Sequence, residues 1–231
     1  MLDYTEYEVL SFDCYGTLVD WANGILEALR PVLIRHGMNL DDDRILELYA
    51  ETESDLETGE FIRYREVLGG VVREIGSGLG FSPSSSELDC LAESLPEWRP
   101  FDDTVDALKS LESAYKLAII SNIDDDLFAR TEARLGVKFD TVVTAESVGS
   151  YKPSLKNFRV AIQSIGVAPE RLLHIAQSVH HDIVPAKEMG ISTVWVTRGA
   201  GSGATLPASG QPDVEVPDLK TLVSLMGLGT G

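Results

Sequence analysis

Glu8-Val9-Leu10-Ser11-Phe12-Asp13-Cys14-Tyr15-Gly16-Thr17-Leu18 is the stretch on which the fold turns. Its first five residues form a short, mostly apolar run, as expected of a strand covered on both faces. It then breaks into a carboxylate and a glycine-containing turn. Similar runs recur downstream at Lys116–Ile120, Thr141–Thr144, Leu172–Ala176 and Thr193–Val196, and Asp213–Val216 reads as a sixth strand at an edge. Between them lie segments with helical spacing: Asp102–Ser113, Leu127–Leu135 before Gly136, Ser154–Ile165 before Gly166, and Ile183–Met189 before Gly190. Alternating strands and helices predict a doubly wound α/β core around a parallel sheet.

The stretch from Leu18 to Trp98 breaks this alternation. It reads as helices over Trp21–His36, Asp41–Glu57, Glu60–Ile75 and Ser84–Leu95, with Gly76–Gly80 and Ser82–Ser86 as the loop between the last two. An insertion of this size after the first strand predicts a separate helical lid. The expected division is a core of residues 1–17 and 99–231 and a helical domain of residues 18–98.

The 231-residue chain is 44% hydrophobic and 24% charged, which excludes collagen-like and disordered classes. Its formal net charge of −18 repels phosphate backbones and anionic lipid, so neither nucleic acid nor membrane is an expected partner. Two cysteines, Cys14 and Cys90, make neither a disulfide framework nor a four-cysteine zinc site. The first residues carry no basic and apolar leader pattern, and no stretch is long and apolar enough for a membrane span. A soluble cytoplasmic protein is expected.

In a parallel α/β sheet, ligands bind at the carboxyl ends of the strands. Here those ends carry Asp13 with Thr17, then Ser121-Asn122, then Lys152, then Gln177-Ser178 with His181-Asp182 just beyond. Singly, each reads first as a cap, a turn or a solvated charge. Together and in order, they place a carboxylate, a hydroxyl–amide pair, a lysine and a second carboxylate on one rim.

That ordered set resembles the haloacid dehalogenase superfamily, whose motifs are an Asp after the first strand, a Ser or Thr after the second, a Lys, and an acidic loop. The counterparts are Asp13, Ser121, Lys152 and Asp182, and the helical insertion resembles the family's cap. The family's magnesium-dependent phosphatases carry a second Asp two residues after the first and an acidic residue five before the last; here these are Tyr15 and Gln177. Magnesium favours hard anionic oxygens, so neither a metal nor a cofactor is expected. A magnesium phosphatase remains an alternative.

Asp-x-Tyr-Gly-Thr-Leu, with Ser-Asn and Tyr-Lys-Pro, resembles the metal-independent L-2-haloacid dehalogenase branch. That resemblance implies that Asp13 attacks C2 of a small carboxylic acid, forming an ester that water cleaves to a 2-hydroxy acid. Lys152 keeps Asp13 ionised, Asp182 orients Lys152, and Thr17, Ser121 and Asn122 bind carboxylate or oxyanion. Gln177 belongs to the substrate pocket. Tyr15 and Trp21 either wall the pocket or pack the lid. His181 either activates water or caps the next helix. Cys14 reads as buried filler. A homodimer is expected by resemblance alone.

Two departures matter. The fourth motif reads Gln177-Ser178-Val179-His180-His181-Asp182 instead of the dehalogenases' Ser-x-Asn-x-x-Asp. The position of their halide-binding cap arginine holds Tyr49-Ala50-Glu51, with Arg63 and Arg65 as possible substitutes. Glu47, Glu51, Glu53, Asp55 and Glu57 make this region acidic and read first as a solvated helix face. The same features resemble a dehalogenase relative that opens the ring of L-azetidine-2-carboxylate, whose ammonium an acidic lid would accept. Carbon–nitrogen cleavage is therefore the alternative to dehalogenation.

Overall fold

The computed structural model describes residues 2–199 and 210–229; the remaining residues of the expected core segment lie outside the described part. Six strands form a single parallel sheet: β1 Val9–Phe12, β2 Lys116–Ser121, β3 Thr141–Thr144, β4 Leu172–Ala176, β5 Ser192–Val196 and β6 Val214–Val216. Their order is β3-β2-β1-β4-β5-β6, with the expected sixth strand at the edge. Chain direction across the sheet reverses at β1, between β2 and β4, so the crevice at a topological switch point lies above β1.

Both faces are covered because the apolar residues alternate between them. Leu10, Phe12, Leu117, Ile119, Leu173 and Ile175 join one buried cluster. Val9, Ala118, Ile120, Val143 and Leu172 join a second on the opposite face. Ser11 and His174, register partners on β1 and β4, interrupt the second face with polar groups.

The insertion is helical, as expected: α1 Trp21–Arg35, α2 Asp42–Glu57, α3 Tyr64–Leu79, α4 Ser85–Leu88 and α5 Cys90–Ser94. The remaining helices are α6 Thr104–Glu112, α7 Asp125–Leu135, α8 Ala145–Val148, α9 Leu155–Ile165, α10 Val184–Glu188 and α11 Leu219–Leu225, and a π-helical turn over Val179–Ile183 precedes α10. Two expectations need correction. The glycines of Gly76–Gly80 do not form a loop: α3 runs through Leu79 and stops at Gly80, where φ is +82°. Gly76 serves packing instead, since a Cβ there would lie 2.8 Å from the Pro83 ring. The fourth helix of the insertion breaks in two around Asp89.

α3 begins at Tyr64, four residues later than the spacing suggests, because its cap comes from far along the chain. Asp124, just after β2, accepts the Tyr64 and Arg65 backbone N–H groups at 2.8 and 3.0 Å. Among the described residues, no helix is long and apolar enough to cross a membrane.

Candidate active site

β1 ends in a tight turn that aims Asp13 out of the sheet. The Leu18 and Val19 N–H groups both donate to the Cys14 carbonyl, and the Gly16 N–H donates to the Val19 carbonyl. Gly16 sits at φ +93°, and a Cβ there would lie 2.7 Å from the Trp21 indole nitrogen. Glycine thus allows both the turn and the close approach of Trp21.

Asp13 is 7% exposed and held through both oxygens. Lys152 Nζ donates to Oδ1 at 2.9 Å, and the Thr17 hydroxyl donates to Oδ2 at 2.8 Å. Lys152 Nζ also donates to Asp182 Oδ1 at 2.6 Å and to the Ile120 carbonyl at 2.8 Å. One buried ammonium therefore bridges two buried carboxylates. Burial alone would lower the Lys152 pKa, but Asp13 and Asp182 outweigh it and raise it, so the lysine stays charged. Burial would raise Asp182, yet Lys152 and His174 together hold it at about 2. Burial keeps Asp13 above the ordinary carboxylate range, with Lys152 and Thr17 pulling against it and Asp182 reinforcing it.

These groups face a cavity of about 110 Å³. The core contributes Asp13, Tyr15, Ser121, Asn122, Lys152, Gln177, His181 and Asp182; the helical insertion contributes Trp21, Tyr49, Glu53, Glu57, Tyr64 and Trp98. Nine of the ten candidate residues line this cavity, Thr17 being the exception. Its hydroxyl hydrogen is spent on Asp13, and its oxygen accepts the Gln177 N–H at 2.9 Å. Thr17 thus holds one oxygen of the Asp13 carboxylate from outside the cavity lining.

Asn122 lines the cavity and also holds the chain at Lys152. Its Oδ1 accepts the Lys152 N–H at 2.7 Å, and its Nδ2 donates to the Lys152 carbonyl at 3.1 Å and to Glu57 at 3.3 Å. It clamps the lysine's backbone. The Ser121 Oγ is buried at the cavity wall and, among the described residues, has no hydrogen-bond partner. Tyr15 turns its hydroxyl to Thr131 at 2.8 Å, and its ring stands at 85° to that of Trp98 with centroids 6.0 Å apart. Trp21 lines the cavity and packs against Tyr49, combining both readings offered for it. His181 faces the cavity, with its Nδ1 3.3 Å from the Ser178 hydroxyl; burial lowers its pKa to about 4, so the ring is neutral at pH 7. The Cys14 thiol is buried and pushed well above its ordinary pKa, as filler would be.

Sequence reasoning missed His174. On β4, its Nε2 lies 3.0 Å from Asp182 Oδ1 and its Nδ1 2.9 Å from the Ser11 hydroxyl. An ionised carboxylate only accepts, so Nε2 carries the hydrogen. A histidine inside an apolar strand was the available signal.

The acidic helix face is only partly solvated. Glu47, Glu51 and Asp55 are exposed, but Glu53 and Glu57 turn into the cavity. Glu53 accepts from the Tyr49 hydroxyl at 2.8 Å and from the Tyr64 hydroxyl. Spacing held the signal: Tyr49, Glu53 and Glu57 lie four apart, continuing the buried stripe from Ile45. Arg63 and Arg65 do not substitute for a pocket arginine. Arg63 pairs with Asp124, Asp126 and Glu146, and Arg65 with Glu93 and Asp126, all outside the cavity lining. Among the described residues, no arginine lines the cavity.

The family model for haloacid dehalogenase-like hydrolases matches residues 10–196. An (S)-2-haloacid dehalogenase of Pseudomonas sp. (strain YL) is 25% identical over 228 residues, covering 96% of this chain and 95% of the relative. A glyceraldehyde 3-phosphate phosphatase of Methanothermobacter thermautotrophicus is 36% identical, but over 101 residues only, 42% of this chain and 45% of the relative. The solved L-2-haloacid dehalogenase of Xanthobacter autotrophicus superposes with a TM-score of 0.81 at 22% identity, covering 96% of this chain and 98% of that one. With the Asp13–Lys152–Asp182 arrangement at its switch point and a family match spanning most of its length, the chain belongs to the haloacid dehalogenase-like hydrolases.

Proposed function

We propose that this protein displaces a leaving group from C2 of a small carboxylic acid, without a metal, through an ester on Asp13. An Asp13 oxygen attacks C2, and the leaving group departs with the electron pair of its bond. Water then attacks the Asp13 carbonyl carbon, releasing a 2-hydroxy acid and regenerating the carboxylate. The observation that carries this reading is the Asp13 carboxylate at the cavity wall, held by Lys152 and Thr17. In this scheme Lys152 and Asp182 fix the geometry, Ser121 donates to the substrate carboxylate, and His181 is the candidate to accept the proton of the attacking water. Residues 18–98 act as a cap over a core of residues 1–17 and 99–231.

Halide is the first leaving group proposed, since the relatives covering most of the chain are named (S)-2-haloacid dehalogenases. A strained ring nitrogen, as in L-azetidine-2-carboxylate, is the second, favoured by a cavity lined by Glu53 and Glu57 and, among the described residues, by no arginine. Magnesium-dependent phosphoryl transfer fits the donors poorly. Tyr15 replaces the expected acid and points its hydroxyl at Thr131, and Gln177 offers no charge. By resemblance the working protein is a cytoplasmic homodimer, which sedimentation checks for its dimer part.

A single turnover in H₂¹⁸O, with excess enzyme and EDTA, tests the mechanism. L-2-chloropropionate and L-azetidine-2-carboxylate are run in parallel. One of them is expected to place ¹⁸O in the Asp13 peptide, with Asp13→Asn inactive on both. No label with either substrate sinks the ester reading, and phosphatase activity abolished by EDTA replaces it.

A further inference from the structure

We infer that Arg198 is a positioning residue for Asp13: it clamps, from outside the cavity, the turn that carries Asp13 and the junction between the core and the helical insertion. The inference rests on the displacement reading above for the role of Asp13, not for the clamp itself.

Backbone conformation is the first observation. Arg198 lies two residues beyond β5 at φ +56°, and among the described residues it is the one non-glycine residue with a positive φ. Left-handed backbone is uncommon for a residue with a long side chain, and it persists only where the surroundings hold it. The Arg198 N–H is held by the Pro217 carbonyl at 3.1 Å.

The side chain supplies the rest of the hold. It is 3% exposed, and its guanidinium carbon lies 4.2 Å from the centre of the Phe101 ring. Nε and Nη2 both donate to the Thr17 carbonyl, at 2.9 and 2.5 Å. Nη1 donates to Asp103 Oδ1 at 2.6 Å, and Nη2 reaches the Thr104 hydroxyl at 3.4 Å. Asp103 is itself fixed, since its Oδ2 accepts the Leu219 and Lys220 N–H groups at the start of α11. A planar fork seated in this way holds the Thr17 carbonyl in both distance and direction.

That carbonyl links Arg198 to the chemistry. The Thr17 hydroxyl holds Asp13 Oδ2 at 2.8 Å, and Lys152 holds Oδ1. Fixing the Thr17 backbone therefore fixes one of the two groups that orient the carboxylate. The same guanidinium spans both crossings between core and insertion. Thr17 lies on the outgoing crossing, and Phe101, Asp103 and Thr104 follow the returning one. The crossings are tied to each other as well: the Leu18 carbonyl accepts the Phe101 N–H at 3.1 Å and the Thr104 hydroxyl at 2.9 Å, and the Asp20 N–H donates to the Arg99 carbonyl at 2.8 Å. Without the guanidinium, the Thr17 carbonyl is released and the Asp13 carboxylate gains freedom to turn.

Arg198→Asn is the test, because asparagine tolerates left-handed backbone and removes only the guanidinium. Arg198→Lys is the second variant; it keeps the charge and loses the planar fork. Both are checked for folding by circular dichroism. The substrate is whichever of L-2-chloropropionate and L-azetidine-2-carboxylate labels Asp13 in the wild type. Misplacing a reacting group costs up to about a hundredfold, so kcat should fall at least tenfold in the Asn variant and at least threefold in the Lys variant, with KM within threefold of wild type in both. Amide exchange reads the clamp without any substrate. The Leu18, Val19 and Phe101 N–H groups should exchange at least tenfold faster in the Asn variant, with those of Tyr64 and Arg65 unchanged. A smaller fall in kcat, a loss carried by KM, or exchange that is unchanged or faster throughout the chain overturns the clamp. If neither substrate labels wild-type Asp13, the displacement reading falls, and the exchange measurement alone decides whether Arg198 holds the turn.

Discussion

Ser121 is the clearest case of one residue's energetics anticipating its role. A buried hydroxyl without a partner costs about 1–3 kcal/mol, and Ser121 carries that cost at the cavity wall. Ser121→Ala should therefore leave the melting temperature unchanged or slightly raised. It should lower kcat/KM about tenfold or more, in line with the roughly 1.5–3 kcal/mol of a hydrogen bond to a charged group. A variant that loses stability and keeps activity would show the hydroxyl to be structural. His181 offers a second residue-scale test. Its folded pKa of about 4 lies below the ordinary 6.5, so between these values the unfolded chain binds the extra proton. Stability attached to neutral His181 is present above pH 6.5 and is lost as pH falls toward 4. Asp13 and the half-buried Glu57 act in the opposite sense, because their raised pKa values favour the folded protein as pH falls. Asp182, held at about 2, acts in the same sense as His181. His181→Gln isolates the histidine. Its stability relative to wild type should rise between pH 6.5 and pH 4, by about 3 kcal/mol at most for a shift of this size. Urea midpoints at pH 7, 5.5 and 4 check this, and a flat difference would count against it.

At the scale of elements, α3 depends on a cap it does not carry. The residue before it, Arg63 at the N-cap, makes no side-chain cap hydrogen bond; Asp124 supplies the acceptors after β2. Arg63 and Arg65 add ion pairs to Asp126 in the first turn of α7. Asp124→Ala removes the two carboxylate oxygens that accept the Tyr64 and Arg65 backbone N–H groups at a fully buried site, and should cost about 2 kcal/mol or more. Asp126→Ala breaks half-exposed pairs and should cost at most about 1 kcal/mol. Because α3 begins with Tyr64, which holds Glu53, the Asp124 variant should also raise KM. Thermal melts and amide exchange at Tyr64 and Arg65 distinguish this from a general loosening.

Across the whole molecule, the site is a meeting of distant segments. Asp13 follows β1, Ser121 ends β2, Lys152 reaches over from the loop after α8, and Asp182 follows β4. The helical insertion closes the cavity with α1, α2 and α3. One apolar cluster includes Phe12 and Leu117 from the core together with Leu18, Tyr49, Tyr64 and Leu68 from the insertion. Docking of the insertion and formation of the cavity are therefore tied to the same contacts. Wild-type unfolding should be a single transition by circular dichroism and by tryptophan fluorescence, since Trp21 and Trp98 both line the cavity. Two separated transitions would mean that the insertion folds as its own unit.

The sequence by itself determined the strands, their parallel arrangement and the four-part motif, because apolar runs, turn residues and motif order are local or ordered along the chain. It also pointed to the helical insertion, missing mainly its ends: α3 takes its cap from Asp124, and Gly76 is fixed by contact with Pro83. What only the tertiary structure decided is which polar groups face each other. Thr17 turned inward to Asp13, Asn122 turned to the Lys152 backbone, and His174 reached Asp182 from a neighbouring strand. Glu53 and Glu57 left the solvated face for the cavity because α2 packs that side against α3. Hydrogen-bond partners and burial are properties of residues brought together across the fold, and linear spacing only restricts them.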